Sequence, residues 1–222
     1  MDEQAWTDVD GYLVELLALN DDALEAALAD SNAAGLPAIN VAANQGKLLE
    51  LLARGVRARR ILEIGTLGGF STIFLARALP ADGSLITLEI DPEHALIARK
   101  NLDRAGVGAS VQIRVGSAAD TLRQLVDAGE GPFDFIFIDA DKESYAEYLA
   151  RSVQLSRVGT LIVADNVVRG GRVVDPDEPD TRVQGIRAFL QAVAAEDRVE
   201  ATAVQTVGTK GYDGFALLLV TS

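Results

Sequence analysis

Arg60-Ile61-Leu62-Glu63-Ile64-Gly65-Thr66-Leu67-Gly68-Gly69-Phe70-Ser71 is a short apolar run that ends in a glycine-bearing turn and leads into a helix. Gly65 closes the run, and Pro80 stops the helix that begins at about Ser71 and reaches Leu79. The same sentence of strand, turn and helix repeats downstream. Leu85–Leu88 is a second run, and Asp91-Pro92 opens a helix with a cap and a first-position proline, which Gly106 ends. Val111–Val115 is a third strand, and Ser117 caps the next helix. Phe133–Ile138 reads FDFIFI, apolar enough for a buried central strand, and a helix carrying Tyr145, Tyr148 and Leu149 follows. Thr160–Ala164 is the fifth strand. Strand alternating with helix predicts an α/β fold with a parallel, doubly wound sheet.

The two ends depart from that alternation. Val9, Leu13, Leu16 and Leu17 recur at helical spacing, Asp21–Ala29 is a second helical pattern, and Gly46–Arg54 is a third, closed by Gly55. After a helix near Arg182–Ala195 come strand candidates at Ala201–Val207 and Gly214–Val220, with Gly208, Gly211 and Gly214 punctuating their connection. That predicts a closing antiparallel pair and seven strands in all. The chain reads as a single domain, residues 1–222, with N-terminal helices over 1–55 and the sheet over 56–222. Asp175–Asp180, with two prolines and four acids, is expected to be a mobile surface loop.

Composition narrows the function. There is no cysteine, which excludes disulfides, thiolate metal sites and cysteine nucleophiles. The net charge of −13, from 20 basic and 33 acidic residues, argues against a phosphate backbone as partner, so no nucleic acid is expected. No run approaches the ~20 apolar residues of a membrane span. The acidic start MDEQAWTDVDGY lacks the layout of a signal peptide, so a cytoplasmic location is expected.

In open α/β sheets, ligands bind beyond the C-terminal ends of the strands, and the polar features of interest sit there. The spacing after Glu63 is not G-x-G-x-x-G, and a carboxylate one residue before the first glycine repels a pyrophosphate. It suits a cationic ligand with an amino-acid portion, such as S-adenosylmethionine. Glu89, about 20 residues past the turn, is placed to accept the two hydroxyls of a ribose. Gly116-Ser117-Ala118 offers small residues and backbone NH groups that could edge an adenine. Strand four ends in Asp139-Ala140-Asp141-Lys142 and strand five in Asp165-Asn166. If those strands are neighbours, Asp139, Asp165 and Asn166 supply three oxygen ligands to a hard cation, Mg²⁺ or else Mn²⁺ or Ca²⁺. Vicinal hydroxyls of a substrate could fill remaining positions. Lys142 is a candidate general base, because a lysine beside a cation loses its proton more easily. His94, the only histidine, reads as a surface residue away from these clusters.

With those residues in hand, the chain resembles the cation-dependent O-methyltransferases, which include caffeoyl-CoA and catechol O-methyltransferases. The matching stretches are Gln45-Gly46-Lys47-Leu48-Leu49, Leu62 to Thr66 with Gly69-Phe70-Ser71, Phe133 to Lys142, and Asp165-Asn166. The resemblance implies a Rossmann-like class I methyltransferase sheet and a homodimer. It implies cofactor contacts at Val41, Glu63, Gly65, Ser71, Glu89 and Ala118, metal ligation by Asp139, Asp165 and Asn166, with Asp139 also approaching the cofactor amine, and a base at Lys142. Its implied acceptor is a small, hydroxylated, aromatic molecule. Val167-Val168-Arg169-Gly170-Gly171 differs from the plant caffeoyl-CoA enzymes, which carry a Trp and an Asn in this stretch, and so points away from caffeoyl-CoA. A nicotinamide-dependent oxidoreductase is the rival reading, opposed by the Glu63-x-Gly turn and the antiparallel end. A non-catalytic cofactor-binding module is a third, opposed by the intact Asp139, Asp165 and Asn166 set.

Overall fold

The computed structural model describes residues 2–222. Seven strands form one sheet: β1 (Arg60–Ile64), β2 (Ser84–Glu89), β3 (Val111–Val115), β4 (Phe133–Ile138), β5 (Ser156–Asp165), β6 (Val199–Gly208) and β7 (Gly211–Val220). Their order across the sheet is β3-β2-β1-β4-β5-β7-β6. The first five pair in parallel, and β7 runs antiparallel to both β5 and β6. The predicted α/β sheet with its antiparallel closing pair is therefore the fold.

Period-two alternation distributes the apolar side chains to both faces of the sheet. Leu62, Ile64, Ile136, Ile138 and Ile162 enter one core with α6 (Ala118–Asp127), α7 (Tyr145–Gln154) and α8 (Thr181–Ala194). Ile61, Phe135, Phe137 and Val163 enter the other, with α2 (Asp22–Ala33), α3 (Ala43–Gly55), α4 (Phe70–Arg77) and α5 (Pro92–Arg104). A helix on each face follows from parallel strands, whose connections must cross over. The remaining helix, α1 (Glu3–Leu16), packs on α3 and β6 and buries Asp10, while Val9, Leu16 and Leu17 of its apolar pattern stay exposed.

Local chemistry set most of the element ends. Asp91 accepts from the backbone N of Glu93 and His94 with Pro92 behind it, Ser117 caps α6, and Gly35 and Gly106 take positive φ. Two expectations are corrected. Gly55 lies inside α3, and the left-handed residue beyond the helix is Arg57, at φ 55°. The closing hairpin turns through Thr209 and Lys210 between Gly208 and Gly211, and Gly214 lies within β7, where a Cβ would come to 2.4 Å from the Val204 carbonyl oxygen. The 175–180 segment is a largely exposed loop, in which Asp180 Oδ2 lies 3.1 Å from Arg172 Nη1.

Candidate active site

The strand order reverses between β2-β1 and β4-β5, and a doubly wound sheet opens a crevice at such a switch point. A cavity of about 1210 Å³ lies there. Gly65, Ser71, Glu89 and Ala118 line it from the end of β1, the start of α4, the end of β2 and the start of α6; Asp139, Lys142 and Asn166 line it from the segments that follow β4 and β5; Val41 lines it from the segment before α3. Two predicted residues, Glu63 and Asp165, stand behind that wall rather than on it.

The turn after β1 is welded to its neighbours. Gly65 N donates to the Leu88 carbonyl at 3.1 Å, and Asp139 N donates to the Ile64 carbonyl at 2.8 Å. Glu89 is buried, and its carboxylate accepts from Leu67 N at 2.7 Å and Asp91 N at 3.0 Å. Those two donors fix the direction of the carboxylate at the cavity edge, as a residue that grips a diol requires. His94 also lines the cavity, with Nδ1 3.6 Å from Glu89 Oε1, which corrects its reading as a residue away from the site. One turn of helix from the Asp91 cap swings it back over the strand end, a consequence of helical geometry that composition could not supply.

Glu63 is fully buried beneath the turn, and its carboxylate accepts from Ser71 Oγ at 2.7 Å, from Thr87 Oγ1 at 2.7 Å and from Thr72 Oγ1. Burial raises its pKa from 4.5 to about 7, against the pull of those hydroxyls and with help from the negative charge of Asp139. The carboxylate thus orients the hydroxyl of Ser71, which does face the cavity.

The second cluster forms because β4 and β5 pair in register, Ile138 beside Ala164, so Asp139 and Asp165 leave the sheet side by side. Adjacent strands lie ~4.8 Å apart, which brings two carboxylates to one point. Asp165 accepts from Asn166 N at 2.8 Å, and the nearby Gln45 side chain favours its charged form. Its pKa is pushed up to about 7, first by burial and second by Asp139. Asn166 follows in the left-handed region at φ 58°. Lys142 Nζ donates to Asp139 Oδ1 at 2.8 Å and to Tyr145 Oη at 2.7 Å. Tyr145 is fully buried, lies 3.2 Å from the carbonyl oxygens of both Ile138 and Asp165, and keeps its proton, since burial holds its pKa well above the ordinary value. The two carboxylates lie close, and Asp165 resists ionisation because it is buried beside Asp139. With Asn166 next in the chain and lining the cavity, and no sulfur or imidazole among them, they fit a hard cation. Among the described residues no three His, Cys, Asp or Glu side chains form a cluster that could hold a metal ion.

Gln45, His94, Tyr145 and Arg169 are site residues that the strand-end reading missed. For Tyr145 a signal existed: it follows Lys142 by three residues, one helical turn.

A model of the O-methyltransferase family matches residues 19–219. A catechol O-methyltransferase of Niastella koreensis is 55% identical over 220 residues, covering 99% of this chain and 100% of that protein. The O-methyltransferase from Bacillus cereus, solved in complex with SAH, superposes with a TM-score of 0.97 at 51% identity, covering 99% of this chain and 100% of the other. TomG from Streptomyces achromogenes, an O-methyltransferase involved in tomaymycin synthesis and solved in complex with SAM, gives 0.96 at 50% identity, covering 100% of both chains. Matched nearly end to end, and with its motif residues gathered at the switch-point cavity, this chain belongs to the cation-dependent O-methyltransferase family.

Proposed function

We propose that this enzyme uses S-adenosylmethionine and a divalent cation, Mg²⁺ in the first instance, to methylate one hydroxyl of a small catechol-like or phenolic molecule. The observation that carries the reading is the registered pair Asp139 and Asp165, with Asn166 and Lys142, at the end of a cavity that also holds the glycine turn. The complexes of its relatives with SAH and SAM support the donor, and the name of the Niastella relative supports a catechol acceptor.

Asp139, Asp165 and Asn166 would hold the cation, whose charge lowers the proton affinity of a hydroxyl bound to it. Gly65, Ser71, Glu89, Ala118, Asp139 and Val41 would hold the cofactor, which supplies an electrophilic methyl group, with Glu63 acting through Ser71. Lys142, once its ammonium has given up a proton, would take the proton of the reacting hydroxyl at Nζ, and the bound donor would supply the methyl group, its sulfonium C–S bond breaking as the O–C bond forms and the thioether leaving. Tyr145 Oη holds Lys142 Nζ from below, which keeps that nitrogen at the carboxylate pair. Orientation and charge placement contribute most of the acceleration in such a site.

The proposal extends to a single-domain chain working as a homodimer in the cytoplasm. Exposed Val9, Tyr12 and Leu16 on α1 support the homodimer, since a row of large apolar side chains in water marks a contact surface. No helix among the described residues is long and apolar enough to cross a membrane.

The test is methyl transfer from labelled S-adenosylmethionine over a panel of dihydroxylated aromatics, with Mg²⁺ or with EDTA. Turnover that EDTA abolishes and Mg²⁺ restores is expected. Equal turnover with EDTA removes the cation from the reaction, and turnover on no dihydroxylated aromatic removes the acceptor class.

A further inference from the structure

Arg169 lies three residues beyond Asn166 and lines the same cavity, with a side chain only 16% exposed. Its backbone sits in the left-handed region, φ 56°, and is pinned there by Asp213, whose Oδ1 accepts from Arg169 N at 2.8 Å and Val168 N at 3.0 Å. Non-glycine residues rarely occupy that region without a compensating hold. The guanidinium at the end of this held backbone donates no hydrogen bond to any described residue, and its Nε is buried without a partner. The nearest carboxylate oxygen, Asp213 Oδ2, is 3.9 Å from Nη1, beyond hydrogen-bond reach.

This is not for want of acids. The chain carries 33 of them against 20 bases, and elsewhere Arg157, Arg114 and Arg104 each meet a carboxylate at 2.6 Å. A half-desolvated guanidinium with its donors unused is costly unless a ligand completes it. A second cation points the same way. Lys210, at the hairpin tip, lines the cavity and donates only to the Ala38 carbonyl, and burial lowers its pKa. Arg182, also in the wall, is already paired with Asp180.

We infer that the acceptor carries a carboxylate, and that the Arg169 guanidinium receives it while the hydroxyls sit at the Asp139 and Asp165 pair. The inference rests on the catechol reading above and narrows it to ring acids. Three Cα–Cα steps lead from Asn166 to Arg169, so their Cα atoms are at most ~11 Å apart, the scale of one substituted aromatic ring. The planar fork of arginine matches a carboxylate in a way that a lysine cannot.

The experiment compares kcat/KM for 3,4-dihydroxybenzoate and its neutral twin 3,4-dihydroxybenzamide, using the full chain with S-adenosylmethionine and Mg²⁺. The wild type is expected to favour the acid by ~10-fold or more. Arg169→Gln brings the acid-to-amide ratio of kcat/KM down to about 1, and Arg169→Lys falls between. No preference in the wild type overturns the inference. So do equal losses on both substrates, which would mean that Arg169 only balances the charge of Asp139 and Asp165. Should Arg169→Gln fail to fold, Arg169→Lys decides alone: a several-fold loss on the acid only supports the subsite, and parallel rates overturn it. If neither compound is methylated, the catechol reading has failed, and calorimetry of 3,4-dihydroxybenzoate binding decides the subsite separately. Affinity that drops ~10-fold in the variant supports it, and absent or unchanged binding overturns it.

Discussion

The Cα of Gly65 approaches Asp139 so closely that a Cβ on residue 65 would lie 2.0 Å from the Asp139 carbonyl oxygen. The turn beneath the proposed cofactor and the strand end beneath the proposed cation are thus in backbone contact, and a change in one displaces the other. Gly65 also holds φ at 105°, which a side chain resists. Gly65→Ala is therefore expected to cost ~2–3 kcal/mol or more of stability and to abolish methyl transfer together with S-adenosylmethionine binding. Thermal melts and calorimetry check this, and a stable variant with intact binding would show that the turn tolerates movement.

Glu63 yields a pH dependence. Its folded pKa, about 7, stands above the ordinary 4.5, chiefly because burial penalises the charge. A carboxyl raised in the folded state favours folding fully below 4.5, and that contribution fades as pH rises through about 7. The amplitude is roughly 3 kcal/mol. The unliganded wild type should lose stability relative to Glu63→Gln between pH 5 and pH 8 in denaturant titrations, and parallel curves would contradict the buried carboxyl.

Gly185 on α8 abuts the loop that carries Lys142. A Cβ there would sit 2.3 Å from the Lys142 carbonyl oxygen and 2.7 Å from Glu143 Cα. Gly185→Ala should cost ~1–3 kcal/mol and lower kcat by shifting Lys142, with cofactor affinity retained. Unchanged kcat in a correctly folded variant would mean that α8 gives way instead.

Lys142→Ala should slow the chemical step by ~10²-fold or more while S-adenosylmethionine still binds, as measured by single-turnover transfer. A near-normal rate would assign the activation of the hydroxyl to the cation alone.

Asp165→Ala should remove the Mg²⁺ response of turnover and spare cofactor binding, because Asp165 lies behind the cavity wall on the β5 side. Persistence of the Mg²⁺ response would place the cation elsewhere.

Much of this protein was legible in one dimension. The alternation of apolar runs with capped helices dictates a parallel sheet, and parallel neighbours put Asp139 beside Asp165, because strand ends in register share one rim. Glu89 and the glycine turn were readable for the same reason. What only the tertiary structure decided is where side chains point and what they already hold. Glu63 was visible as a carboxylate before a glycine, but its burial beneath Ser71, Thr72 and Thr87 depends on two strands and a helix meeting. His94 is returned to Glu89 by a helical turn, and Gln45 reaches Asp165 from a helix 120 positions earlier in the chain. Arg169 is an unremarkable basic residue in the sequence, and only packing shows that the 33 acids of this chain leave it without a hydrogen-bonded partner. Local patterns follow from bonds between near neighbours, whereas a guanidinium left without a hydrogen-bonded partner is a property of the whole assembled surroundings.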